Sequence, residues 1–150
     1  MAILLFLTSI WLINILIKLE TRIEPNLKNY NNLDTINWDI NKNILLPSQL
    51  TAKGEIVFVD ITADWCLTCQ VNKALVIETK EVSEIFKKNN VKVLVLDWTK
   101  PNENIKKFLN KKERYGIPYN EIYGPSLPGG KILSELLTIK EIQEYIKRAK

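Results

Sequence analysis

The chain contains two cysteines, standing as Cys66-Leu-Thr-Cys69. Two thiols at this spacing can close a disulfide by losing two electrons and reopen it by gaining two, with the thiolate as the attacking form. Other uses of the pair are narrowed by what the sequence lacks. A structural zinc site takes four Cys or His ligands, and here there are two Cys and no His. Gln70 follows the second cysteine, so the C-x-x-C-H haem-attachment pattern is not met. A copper carrier wants further soft ligands, and the single methionine is Met1. The lack of histidine also removes Cys-His and Ser-His catalysis. Redox exchange, a structural bridge and a pair of inert core thiols remain.

The elements around the pair favour redox exchange. Val57, Phe58, Val59 and Ile61 form a nearly continuous β-branched and aromatic run, the pattern of a strand buried on both faces. After Cys66 the period changes, with Leu67, Val71, Ala74 and Leu75 three or four apart on one predicted helical face. The cysteines therefore fall where a strand hands over to the first turn of a helix. Free N–H groups and the positive end of the helix dipole lie there, and both favour thiolate.

The rest of the chain reads as α/β. Leu45, Leu46 and Leu50 with Pro47 predict a short helix, and Lys53-Gly54 a turn into the central strand. Val82, Ile85 and Phe86 continue the helical region, and Asn89-Asn90 turns into a strand at Val91–Leu96. Thr99 or Asn102 caps the next helix, with Pro101 in its first turn and Ile105, Phe108 and Leu109 buried. A strand at Tyr119–Tyr123 follows, then a loop over Gly124, Pro125, Pro128, Gly129 and Gly130. A short strand at Lys131–Leu133 and a helix burying Ile139, Ile142 and Ile146 complete the chain. Lys and Glu alternate along these helices, so the net charge of +4 is mostly a solvated face. No basic–aromatic patch argues for nucleic acid.

Residues 1–19 are of a different kind. Ala2–Ile17 is almost wholly apolar, broken only by Thr8, Ser9 and Asn14. As a helix it would be about 24 Å long, somewhat short of a bilayer core of about 30 Å, with Lys18 and Arg22 able to snorkel. A charged n-region and an A-x-A site, the marks of a cleaved signal, are missing. The expectation is a membrane anchor. Lys18 and Arg22 after the helix would place that side in the cytoplasm. A start inside a longer membrane protein, whose earlier helices set the topology, would remove that conflict with an oxidising compartment. Residues 20–33 then read as an Asn-rich linker, and 34–150 as the folded domain, opening with a possible short strand around Ile36-Asn-Trp38.

The element order resembles the thioredoxin-like fold, a central mixed sheet flanked by helices, and the motifs narrow it. Val57–Cys69, Leu96-Asp-Trp-Thr99, Tyr115-Gly-Ile-Pro118, Tyr123 and Leu133-Ser-Glu-Leu-Leu-Thr138 together resemble the C-terminal thioredoxin-like domain of DsbD-type thiol:disulfide interchange proteins. The similarity covers roughly Asp34 to the C-terminus, and residues 1–19 would match the last helix of that family's membrane domain.

The resemblance implies a protein-disulfide reductase whose redox group is the Cys66–Cys69 disulfide, with no bound cofactor or metal. Cys66 would be the exposed attacking cysteine and Cys69 the resolving one. Asp60 would be the buried acid beneath the dithiol, against a solvated strand-end Asp as the alternative. Pro118 would be the cis-proline facing the dithiol, Ile117 would offer backbone hydrogen bonds to a substrate, and Trp65 would pack beside the cysteines or serve as an ordinary core aromatic. Asp64 reads as a solvated or capping acid. The implied location is the bacterial inner membrane, with the domain facing the periplasm. Implied partners are disulfide-bearing isomerases or cytochrome c maturation thioredoxins, a membrane electron donor, and lipid around residues 1–19. The sequence departs from the family where Lys73 replaces a carboxylate that some members carry, and where Asn120 and Glu121 sit in a usually apolar strand, which counts against the strand there. A thiol oxidase or isomerase of the same fold, and a non-catalytic binding module, are the alternatives.

Overall fold

The computed structural model describes residues 10–14 and 33–150. Residues 10–14 are helical; the remainder of the expected anchor over 1–19 and nearly all of the 20–33 linker lie outside the described residues. Among the described residues no helix is long and apolar enough to cross a membrane.

Five strands make one mixed sheet: β1 (Thr35–Asn37), β2 (Val57–Thr62), β3 (Lys92–Asp97), β4 (Tyr119–Gly124) and β5 (Leu127–Ile132). Their order is β1-β3-β2-β4-β5, with β1, β3 and β2 parallel and β4 and β5 antiparallel to their neighbours. β2 lies in the middle and is buried along its whole length, as its unbroken apolar run requires. The helices are α1 (Leu46–Ala52), α2 (Leu67–Asn72, prolonged by one π-helical turn, Lys73–Ile77), α3 (Lys80–Lys88), α4 (Glu103–Lys111) and α5 (Ile139–Ala149). Thr79, Asn102 and Thr138 cap the last three through their side-chain oxygens.

Two cores cover the two sheet faces. On one, Phe58, Val93 and Ile122 pack against Val76, Ile77, Val82, Phe86, Ile142 and Ile146 from α2, α3 and α5. On the other, Val57, Val59, Ile61 and Leu94 pack against Trp38, Ile105, Phe108 and Leu109, beneath α4.

Four local expectations are corrected. Leu67, Val71 and Leu75 face outward, the first and last 75% and 66% exposed, while Cys69, Asn72, Val76 and Ile77 face the sheet. The cystine must close against the fold, so Cys69 fixes the inward face. The π turn, in which Glu78 N–H bonds Lys73 O at 2.9 Å, then brings Val76 and Ile77 both inward. Second, β5 begins at Leu127, ahead of the expected Lys131, because the turn needs only Pro125 and Ser126. Gly130 lies within that strand at φ +79°. Third, Pro101 precedes the Asn102 cap and is not in the first turn. Fourth, Asn120 and Glu121 do not weaken β4: both are buried in it with hydrogen-bond partners. Tyr119 and Tyr123 hydroxyls and the Lys112 ammonium all donate to the Glu121 carboxylate.

Candidate active site

The site grows from the end of β2. After Thr62 the chain turns, with Cys66 N–H bonded to Ala63 O at 3.1 Å, and Cys66 takes an extended conformation as the N-cap of α2. Its Sγ accepts the Cys69 N–H at 3.2 Å, so the sulfur itself satisfies one of the free donors at the helix start. Cys66 and Cys69 form a disulfide with Cα atoms 5.2 Å apart. Ala63 and Ile117 pack against the pair, and the Ile117–Pro118 peptide is cis. This cover corrects the expectation of an exposed Cys66: it is 6% exposed and Cys69 2%. The parts that protrude are its neighbours, Trp65 and Leu67.

The loop ahead of the dithiol is tied to the loop after β3. Thr99 Oγ1 accepts from Asp64 N–H at 3.0 Å, and Thr99 O accepts from Trp65 Nε1–H at 3.3 Å. Gln70 reaches back from α2 to donate to Asp64 O at 2.6 Å. The Asp97 carboxylate takes the Thr99 N–H at 2.8 Å, and its bonds to Thr99 hold its carboxyl below the usual range. Trp65 is 62% exposed and tilts against Trp98, with ring centroids 6.4 Å apart, so it is a surface aromatic beside the dithiol and not a core one. Trp65, Trp98, Pro101, Lys106 and Tyr115 line a groove here.

Asp60 lies two residues before the end of β2 and is buried. It shares a sheet face with Phe58, which packs against Val76 and Ile77 of the π-helical turn, so its side is the one covered by the CxxC helix. The solvated alternative therefore does not hold. Asn120, its register partner on β4, donates Nδ2–H to Asp60 Oδ1 at 3.0 Å. Burial pushes the Asp60 carboxyl up, while Lys73 and the Asn120 hydrogen bond act the other way. Glu78, buried at the end of the π turn, is likewise pushed up by burial, with Lys73 opposing and Asp60 adding to the rise.

The expected residues Asp60, Cys66, Cys69, Ile117 and Pro118 thus converge on one end of the sheet. Sequence reasoning missed what surrounds Asp60. Lys73 stood only as a departure from a family pattern, yet its charge bears on Asp60, Glu78 and Asp97. Asn120 stood out only as a polar residue in a usually apolar strand; that it faces Asp60 appears only in the folded sheet.

A cystine at the head of a helix, laid on a mixed sheet of this order beside a cis-proline, defines a thioredoxin-like redox protein. The chain belongs to the thioredoxin-like family, whose pattern residues 47–125 match. Its fold is similar to the C-terminal domain of DsbD from Neisseria meningitidis in the oxidised form, at TM-score 0.59 and 15% identity over 77% of this chain and 99% of that one. A thioredoxin from Thermus thermophilus is also similar, at TM-score 0.55 and 18% identity over 78% of this chain and 86% of that one. A thioredoxin from Nicotiana alata matches at TM-score 0.52 and 13% identity, over 79% and 94% of the two chains. No curated protein sequence matches the chain. Fold and cysteine pair together indicate thiol–disulfide oxidoreductase chemistry.

Proposed function

We propose that the chain is a membrane-tethered protein-disulfide reductase of the DsbD type, acting on disulfides of periplasmic proteins. The observation that carries this reading is the arrangement of the pair: Cys66 Sγ at the helix head, Ile117 packed against the cystine ahead of cis-Pro118, and Asp60 buried on the sheet face that the CxxC helix covers. The motifs shared with DsbD-type proteins and the similarity to the neisserial domain support the narrower assignment.

In the reduced state the Cys66 thiolate attacks one sulfur of a partner disulfide. A mixed disulfide forms and the partner's other sulfur leaves as a thiolate, which takes up a proton. The Cys69 thiol then gives its proton to Asp60 and attacks Cys66 Sγ. The Cys66–Cys69 disulfide closes, the mixed disulfide breaks, and the partner has gained two electrons. A dithiol of a membrane partner reopens the cystine by the reverse exchange, so no cofactor takes part. Residues 1–19 tether the domain to the bacterial inner membrane, with the domain on the periplasmic side. The substrates are isomerases or cytochrome c maturation thioredoxins with exposed disulfides.

Catalysis of insulin reduction by dithiothreitol tests the activity. The wild-type chain accelerates it and Cys66→Ser abolishes the acceleration. A rate equal to the uncatalysed one would leave only a non-catalytic module.

A further inference from the structure

Asn120 and Asp60 are both 2% exposed and face each other on the two strands at the centre of the sheet. Such a pair is poor material for stability. Asparagine disfavours strands, a buried amide costs free energy unless bonded, and two apolar side chains of the same shape would serve the core as well or better. Ile122, the next residue on the same face of β4, is apolar and fully buried. The pair therefore asks for a role in chemistry.

Its geometry supplies one. Asn120 Nδ2–H holds Asp60 Oδ1, while Asp60 Oδ2 is buried with no hydrogen-bond partner among the described residues. The two carboxylate oxygens are thus made unequal. β4, which supplies the amide, also begins directly after cis-Pro118, whose predecessor Ile117 packs on the cystine. One strand holds both the dithiol's cover and its buried acid.

We propose that Asn120 is a positioning residue for disulfide exchange: its amide fixes Asp60 Oδ1 and leaves Oδ2 as the atom that takes the proton of Cys69. This deepens the reductase reading and rests on it. The amide favours the carboxylate over the acid, so Asp60 can accept a proton at a pH where burial alone would keep it protonated. The other charged groups nearby are Lys73 of the π turn, which also favours the charged form of Asp60, and Glu78, whose own carboxyl Asp60 helps to push up. The cysteines at the head of α2 complete the set. When Cys69 loses its proton to Oδ2 its sulfur becomes the nucleophile that closes the cystine. The proton returns when a donor dithiol reopens it.

The test is a pair of pH titrations on the full chain in detergent. In the oxidised protein, where neither cysteine titrates, the Asp60 carboxyl is followed by 13C NMR and assigned by its loss in Asp60→Asn. In the reduced protein, the rate of reducing a small aromatic disulfide is followed against pH. Asn120→Leu should move both midpoints to higher pH and slow exchange about tenfold near neutrality, the size of one lost hydrogen bond to a charged group. In the Asp60→Asn background Asn120→Leu should change nothing in the rate profile. If Asn120→Leu does not fold, Asn120→Ser removes the same amide and must show the same displacements. Unmoved midpoints in a folded variant, or a displaced carboxyl titration with an unchanged rate profile, would overturn the proposal while leaving the reductase intact. A wild-type chain that reduces no disulfide would instead sink the reading on which it rests.

Discussion

Cys66 and Cys69 differ in what their surroundings offer. Cys66 Sγ accepts a helix N–H and is the less covered of the two, which supports its proposed role as the sulfur that attacks partners. Cys69→Ala should accumulate mixed disulfides with substrate and Cys66→Ala should not, and alkylation near neutral pH should be faster at Cys66. Equal alkylation rates would remove that assignment. Asp60 gives a second prediction at this scale. Its carboxyl is raised from an ordinary value of 3.8 by burial, so the folded state holds the proton more tightly than the unfolded chain. Stability then falls as pH rises from about 3.8 through the raised folded value, and is constant above it. Asp60→Asn should accordingly be more stable than the wild type at neutral pH. The difference should vanish in melts run below the unfolded value, and a gain that persisted there would contradict the sign. Cys66, Cys69 and Asp60 were legible because each sits at a fixed offset from one strand and one helix start. Asn120, Lys73 and Glu78 were not, since their role appears only when β4 and the π turn fold over Asp60.

Elements were legible where one periodicity ruled. β2 reads as a continuous apolar run, and α5 buries the expected Ile142 and Ile146, with Ile139 only half-buried and Ala149 added to that face. α2 turns against its apolar pattern because two stripes compete on it, and the more apolar one, Leu67-Val71-Leu75, yields to the side fixed by Cys69. That orientation makes a sharp comparison. Leu75→Gln should change unfolding free energy by no more than about 0.5 kcal/mol, while Ile77→Ala costs about 2–5 kcal/mol. Equal costs in denaturant melts would mean that the helix sits the other way. β4 holds a second buried acid on the opposite face. Lys112, three-quarters buried, bridges Glu121 at 2.7 Å, and two tyrosine hydroxyls complete the carboxylate's shell. Lys112→Met leaves that charge unpaired and should cost about 3–5 kcal/mol, read in the same melts. A loss under 1 kcal/mol would show that the tyrosines alone suffice. Gly130 is tied to the same group: at φ +79° a Cβ there would meet Glu121 Oε1 at 2.1 Å, so the hairpin needs glycine for backbone and for space.

At the scale of the molecule the sequence specified a thioredoxin-like sheet through its order of elements, and the strand order and helix placement follow that plan. The proposed membrane tether rests on residues 1–19, most of which lie outside the described residues. It predicts retention of the chain in membranes after carbonate washing, with its N-terminus intact, and quantitative release would contradict it. The direction of electron flow is set by how the whole site weighs the dithiolate against the cystine. A strong oxidant owes its power to an over-stabilised thiolate. Here the stabilisers are the helix head and, at one remove, Lys73, whose charge is drawn on by Asp60, Glu78 and Asp97. The buried Asp60 carboxylate opposes negative charge at the cysteines. The cystine should therefore be comparatively stable. Equilibrating the full chain in detergent against glutathione and dithiothreitol buffers measures this directly. A reductase requires a potential close to that of thioredoxin, about −270 mV, whereas a value near that of the oxidant DsbA, about −120 mV, would reverse the flow and make the protein an oxidase.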